Sequence, residues 1–479
     1  MKSGLLALPL ILSVQACDGP LDERGPILSD SDRAYGEQAH AQLLAEFGGA
    51  YSGSQAAYVR TVGERIARSA GLEGQCTFTL VNSDVVNAFA VPGCYIYATR
   101  GLVAIVTSEA EMASVLGHEL GHIVARHAQR QQRRSIWQRL GVIAVSVTGS
   151  ERLTRLASQA GQLFGLRYSR QQEYEADDLG VAYLKASGYD VYEAAEMLNA
   201  LQRNSDFIAE TGGQDEAQSL PEWALSHPLT ERRIARAREA ARKSGLKNNE
   251  LPEGTSAYLS QVDGLLFGDD PEQGFVMGRR FAHPGMRIAF VAPQGFSLTN
   301  SPQAIRLSGP EGISGEFSGG PLGDADLGSY ASALMARVVG ETPAEIRRTT
   351  ATRVNGLEAV FLDVRVAVRD GSVPLAIVAY DSGDGQAYHF VIASPPTGGA
   401  AGLSDALFRS FRRLSPADAS ELRPRFIRTI KTAPGDTPET LARRMVDPSP
   451  RALFDLLNNI TSNQPIAAAQ RVKIVTYSR

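Results

Sequence analysis

The chain has 479 residues, about three domains at roughly 150 residues each, with 48 Lys+Arg against 52 Asp+Glu and a formal net charge of −4. That balance excludes the concentrated positive charge on which a nucleic-acid binder depends. Hydrophobic residues at 43%, with 46 Gly and 24 Pro, exclude wholesale disorder and indicate a turn-rich, multidomain globular chain.

Met1 and Lys2 precede an apolar run from Leu5 to Val14 that closes on Gln15-Ala16-Cys17. About ten apolar residues are too few to span roughly 30 Å of hydrocarbon but suit the hydrophobic region of an export signal. The best later candidate for a span, Leu140 to Val147, is shorter still. Val14-Gln-Ala-Cys17 resembles a bacterial lipobox, with lipidation at Cys17; the alternative is ordinary cleavage after Ala16. Cys76 and Cys94 remain, each opening a strand-like run, Thr77 to Val81 and Tyr95 to Ala98. They are either bridged, as an oxidising compartment permits, or two buried thiols.

In chain order, helical spacing of Ala41, Leu43, Leu44 and Phe47, then Tyr58, Val62, Ile66 and Ala67, predicts two helices over 29–70. Strands and turns occupy 76–102. A long helix then starts at the capping box Ser108-Glu-Ala-Glu111 and is expected to run past Arg126. More helix is predicted over 151–203 and from Leu229 to Lys243. Lys247 to Gly254 is polar and turn-rich, a predicted boundary. Beyond it the pattern changes to strands at Arg287 to Val291, Glu358 to Val368, Pro374 to Tyr380 and Ala387 to Ala393. Helices are predicted at Leu327 to Val339 and Ser404 to Phe411, and Gly-rich Ser318 to Leu327 reads as a loop. From about Arg425 the order is strand, helix, helix, strand.

His118-Glu-Leu-Gly-His122 carries the chemistry. At 3.6 residues per turn a spacing of four returns both imidazoles to one helix face, with Glu119 beside them. Such a pair suits zinc, which takes nitrogen ligands and, in catalysis, an open position for water. His127 lies nine residues from His118, about 180° around a continuous helix, and is not expected at the metal. Downstream, Glu173 and Asp177 share one helix face. Glu173 can ligate while Asp177 hydrogen-bonds the far nitrogen of a ligating His. Glu175 points away and reads as solvated surface. His40, His283 and His389 read as structural, and the basic stretch Arg126 to Arg139 as a solvated face.

Together these motifs resemble the zinc metallopeptidases that include the membrane-embedded HtpX and CAAX prenyl proteases and the soluble periplasmic BepA type. The resemblance covers about residues 30–245. It rests on Asn87-Ala-Phe-Ala-Val-Pro-Gly93 with Tyr95-Ile-Tyr97, Glu111 with His118 to His122, Ser169 to Asp177, and Ser226-His-Pro228 with Arg233-Ile234. It implies one zinc per chain held by His118, His122 and Glu173, Asp177 behind them, and Glu119 moving the proton of the attacking water. It implies an edge strand, Asn87, Ala88, Phe89 and Ala90, that binds extended polypeptide as an added strand. It also places His227 near the metal, either as a transition-state hydrogen-bond donor or as a removable fourth ligand.

The last 55 residues resemble a LysM module, through Pro434-Gly-Asp-Thr437, Leu441-Ala442, Leu457-Asn458 and Val472-Lys-Ile474, which implies binding to peptidoglycan. Residues 281–415 resemble a PsbP-like α+β fold on pattern alone. The expected organisation is a signal peptide with lipobox at 1–17, then a mostly α-helical zincin-type α+β metallopeptidase domain at 28–245. A linker at 246–280, the α+β domain at 281–415 and a βααβ module at 424–479 follow. The expected function is zinc-dependent cleavage of unfolded or misassembled envelope proteins in the periplasm of a Gram-negative bacterium, with lipid anchorage through Cys17. The alternative is a latent-site chaperone or scaffold that binds extended polypeptide and peptidoglycan.

Overall fold

The computed structural model describes residues 27–131, 168–211, 222–368, 371–395, 401–461, 463 and 465–477. The export signal and lipobox, the apolar run 140–147, the helix expected over 151–167 and Arg133 to Arg139 lie outside them. Among the described residues no helix is long and apolar enough to cross a membrane.

The first region opens with α1 (Asp30–Glu46) and α2 (Ser54–Ser69), then β1 (Thr77–Val81), β2 (Ala88–Val91) and β3 (Tyr95–Thr99). The strands form a sheet of order β1-β3-β2, with β2 at one edge and antiparallel to β3. A disulfide joins Cys76 to Cys94 and ties the start of β1 to the β2–β3 turn. The region continues through α3 (Arg100–Ile105), α4 (Glu109–Val124), α5 (Arg170–Ala186), α6 (Glu193–Thr211), α7 (Glu222–Ser226) and α8 (Glu231–Lys243).

Side-chain caps set where the long helices begin. Ser108 accepts from the Glu111 N–H, Ser169 forms a capping box with Gln172, and Thr230 accepts from the Arg233 N–H. α4 is buried on every side from Ala110 to Ile123. Its approach to α5 depends on glycine: a Cβ on Gly121 would stand 3.0 Å from the Ala176 carbonyl oxygen and 3.1 Å from its Cα. The helix does not run past Arg126 as its pattern predicts. It ends at Val124, Arg126 adopts φ 55°, and a new helical turn starts at His127.

The stretch expected as a linker is built into folded structure. α9 (Thr255–Gln261) places Tyr258 in the first core, where its hydroxyl donates to the Val103 carbonyl at 2.6 Å. β4 (Leu266–Phe267) follows.

The middle region contains β5 (Phe275–Met277), β6 (Arg280–His283), β7 (Ile288–Val291), β8 (Ser297–Asn300), β9 (Ile305–Ser308), β10 (Ser314–Pro321) and α10 (Leu327–Val339). It continues with β11 (Ala344–Val354), β12 (Leu357–Val368), β13 (Gly371–Asp381), β14 (Gln386–Ala393), α11 (Ala401–Ser410), β15 (Arg412–Arg413) and α12 (Pro416–Ser420). Seven strands pair in the order β11-β12-β13-β14-β10-β9-β8, and four more in the order β15-β7-β6-β5. Four of the ten residues of the stretch predicted as a Gly-rich loop, Ser318 to Pro321, are therefore strand. Gly319 and Gly320 lie opposite Tyr388 and Ala387 in β14, where the absent side chains let Tyr388 pack close.

The last region is β16 (Arg425–Lys431), α13 (Pro438–Ala442), α14 (Pro450–Asn458) and β17 (Arg471–Thr476), the expected strand-helix-helix-strand order. β16 pairs with both β17 and β4. This unit does not stand apart. Leu453, Phe454, Leu457, Val472 and Val475 belong to one hydrophobic cluster with Leu102, Val103 and Ile105 of α3.

Candidate metal centre

Four side chains from two helices and one turn converge. His118 and His122 come from α4, Glu173 from the first turn of α5, and His227 from the residue after α7; all four are buried. Each offers a ligand atom, and these atoms lie within 4.8 Å of one another. His118 Nε2 is 3.0 Å from His122 Nε2 and 3.4 Å from His227 Nδ1. Glu173 Oε1 is 3.1 Å from His227 Nδ1 and 3.5 Å from His122 Nε2. A tetrahedral ion with bonds of 2.0–2.1 Å has ligand–ligand edges of about 3.3 Å, so these spacings fit zinc. Three imidazole nitrogens and a carboxylate oxygen facing one point form a donor set that also fits a cation.

Glu119 sits beside the cluster. Among the described residues neither of its buried carboxylate oxygens has a hydrogen-bond partner, and His227 Nε2 lies 3.5 Å from Oε1. Burial pushes its carboxyl above the usual carboxylate range, against the pull of His227 and His118. Burial works the other way on His227 and would lower it, but the carboxylates of Glu173 and Glu119 outweigh that and raise it.

Behind the cluster, Asp177 Oδ1 lies 3.0 Å from His118 Nδ1. Arg233, fully buried, joins Asp177 through Nε at 2.9 Å and Nη2 at 2.7 Å, and Glu173 through Nη1 at 2.6 Å. One guanidinium thus orients both a ligand candidate and the carboxylate behind another. Trp223 stacks on His227 at 4.3 Å and Tyr168 on His122 at 3.8 Å.

His127 is outside the four-ligand set but not on the far face of the helix. The break at Arg126 returns it, and its Nδ1 stands 2.7 Å from His122 Nδ1. Glu175, partly exposed, does not stand free at the surface: its carboxylate meets His127 Nε2 at 3.2 Å and accepts from Arg130 Nη2 at 2.7 Å. His40, His283 and His389 lie elsewhere, bonded to Tyr97, to Glu272 O, and to Ser318 with Tyr330. Ala88, Phe89 and Ala90 form the sheet edge as β2, but all three and Asn87 are buried. Trp223 and Tyr168 are parts of the site that no motif marked, and Arg233 was marked by the last motif without a role. The position of Arg233, six residues after His227 in the quoted motif, was the available signal.

Residues 53–241 match the family model for Peptidase family M48. The beta-barrel assembly-enhancing protease of Yersinia pestis is 32% identical over 225 residues, covering 44% of this chain and 44% of that protein. The mitochondrial metalloendopeptidase OMA1 of Arabidopsis thaliana is 32% identical over 155 residues, covering 32% of this chain and 29% of the relative. The chain thus spans less than half the length of either. Among solved structures, a cyanobacterial PsbP from Synechocystis matches with 15% identity and a TM-score of 0.24, covering 28% of this chain and 91% of that one.

Proposed function

We propose, from the premise that residues 53–241 form a Peptidase family M48 domain, that the chain is a zinc-dependent endopeptidase. The observation that carries the proposal is the convergence of His118, His122, Glu173 and His227, with an unpartnered Glu119 alongside. His118, His122 and Glu173 would hold the metal, and Asp177 fixes the His118 ring. The chemistry supplied at this donor set when zinc is bound is Lewis acidity toward water and a peptide carbonyl. Glu119, kept free of competing hydrogen bonds, takes the proton from the attacking water and delivers it to the leaving amine. The edge of β2 pairs with extended polypeptide once whatever covers it moves aside.

His227 is read as a removable fourth ligand. Its Nδ1 lies 3.4 Å from His118 Nε2 and 3.1 Å from Glu173 Oε1, and its Nε2 faces Glu119, so with a metal bound His227 would occupy the position an attacking water needs. The resting enzyme is latent in this reading, and this same feature favours the second reading, a chaperone or scaffold with a silent site.

Misassembled envelope proteins are proposed as substrates, a reading supported by the similarity to a beta-barrel assembly-enhancing protease. Periplasmic location with lipid attachment at Cys17 rests on the sequence of residues 1–17. Peptidoglycan binding rests on the LysM-like order of β16 to β17 and is tested by co-sedimentation with purified sacculi.

Cleavage of casein and of an unfolded porin is compared for wild type, Glu119→Gln and His227→Ala, with zinc content measured for each. Glu119→Gln should retain zinc and lose roughly 100-fold or more in rate, and His227→Ala should cleave faster. Equal cleavage by Glu119→Gln and wild type sinks the mechanism. Loss of cleavage in His227→Ala makes His227 catalytic instead.

A further inference from the structure

We infer that His127 is a positioning residue for the His122 ligand. It stands in the middle of a relay, His122–His127–Glu175–Arg130, that fixes which ring nitrogen of His122 faces the metal. The inference rests on the zinc reading above.

His122 Nε2 points into the ligand cluster, so ligation needs its lone pair and leaves the ring proton on Nδ1. The atom that this proton meets is His127 Nδ1, 2.7 Å away. With His122 donating, His127 Nδ1 accepts, and the His127 proton must sit on Nε2. That nitrogen faces Glu175 Oε2 at 3.2 Å, a carboxylate oxygen that can only accept. Arg130 closes the relay, donating to Glu175 from Nη2 at 2.7 Å and from Nη1 at 3.3 Å. Each ring nitrogen therefore has one role, and no two roles conflict. The opposite His122 tautomer would present a proton to the metal and, with the His127 proton kept on Nε2 toward Glu175, would set two bare lone pairs against each other across 2.7 Å.

The surroundings hold this geometry. His127 has no exposed surface, and Gln172 donates from Nε2 to its carbonyl oxygen at 3.3 Å. Gln172 immediately precedes Glu173 and belongs to the capping box of α5, so the same helical turn supplies a metal ligand and anchors the relay. Tyr168 stacks on the other side of the His122 ring. The relay parallels His118–Asp177–Arg233, with one difference. The Arg233 and Asp177 side chains are buried, whereas the Glu175 and Arg130 side chains are each 38% exposed. Orientation of His122 is thereby tied to a surface ion pair.

The test uses His127→Leu, which removes the acceptor, and His127→Asn, whose amide oxygen stands near the former Nδ1. Glu175→Gln weakens only the exposed end. Two quantities are read: zinc affinity by chelator competition, and the His122 ring tautomer in the metal-free protein by nitrogen NMR. His127→Leu should bind zinc roughly 10-fold to 100-fold more weakly and lose the single Nδ1–H tautomer of His122. His127→Asn should recover most of both, a rescue that a packing role does not give. Unchanged zinc affinity and tautomer in folded His127→Leu overturn the proposal. Should that variant fail to fold, Glu175→Gln decides, and no change in either readout overturns it. A wild-type chain that binds no zinc would refute the metal reading instead, and the tautomer in metal-free protein then decides the relay alone.

Discussion

Replacing Lys473 with Met probes the joint between the C-terminal unit and the first core, with an effect that depends on pH. Lys473 lies on β17 with no exposed surface, and its Nζ donates to the carbonyls of Ala104 and Val106, each at 2.6 Å. Burial pushes its ammonium down from 10.5 to about 7, while the Glu111 carboxylate acts in the other direction. In the unfolded chain the ordinary value returns. Between about pH 7 and pH 10.5 the unfolded state therefore holds more protons than the native one, and stability rises with pH by about 1.4 kcal/mol per unit. Below pH 7 both states are protonated and the fold carries the whole cost of the buried charge. Met does not titrate, so the difference between the proteins should grow by about 3 kcal/mol between pH 7 and pH 9. At pH 6 the variant loses two hydrogen bonds but also a buried charge, and these offset to within about 2 kcal/mol. At pH 9 only the loss remains and the variant should be clearly less stable. Urea unfolding followed by Trp fluorescence at pH 6, 7, 8 and 9 measures the difference. A constant difference refutes the reasoning, because it means that Lys473 stays charged throughout as the partner of Glu111.

Opening the Cys76–Cys94 bridge, whose cysteines are 18 residues apart, should cost about 3 kcal/mol. A Cys76→Ser/Cys94→Ser protein and reduced wild type should melt alike, and identical melting of oxidised and reduced wild type counts against the bridge. Glu193, pushed up to about 8 by burial and by Glu111 beside it, holds its proton in the native state over a range where the unfolded chain has lost it. Its stabilisation is complete below about pH 4.5 and falls away as pH rises through 8. Glu193→Gln should remove that fall, a gain of up to about 4 kcal/mol at pH 8, and thermal melts with equal pH slopes would disprove it. Arg233→Met leaves Glu173 and Asp177 without their buried cation and should cost about 3–5 kcal/mol. Arg233→Lys should recover only part, because an ammonium cannot bridge both carboxylates in the same geometry; complete recovery would contradict the forked contact.

The parts of the site that repeat at helical period are legible in the sequence. A spacing of four residues brings His118 to His122, and Glu173 to Asp177, by local geometry alone, and the structure brings both pairs to one place. What carries α5 against α4 is a seam of small residues, Gly117 and Gly121 on one helix against Gly180 and Ala176 on the other, which a pattern of large apolar positions does not encode. The strands around Ser314 to Pro321 were hidden for a similar reason. Glycine lowers strand propensity, yet pairing with β14 across eight residues overrides it. His127 shows the reverse failure, where the pattern was followed too far. A helical wheel assumes an unbroken helix, and Arg126 alone, in a left-handed conformation that no residue type announced, moves the next side chain back to the ligand.

Lys473 carries the same lesson to the scale of whole regions. In a strand with one wet face, residues alternate between core and solvent, and a Lys between Val472 and Ile474 reads as the wet position. Here Val472, Lys473, Ile474 and Val475 are all buried. The side of β17 that should face water is covered by α3 and by the carbonyls that lead into α4. A strand buried on both sides cannot belong to a tethered module that swings freely. Any ligand that this C-terminal unit holds is therefore held at a fixed position relative to the helix that carries His118 and His122.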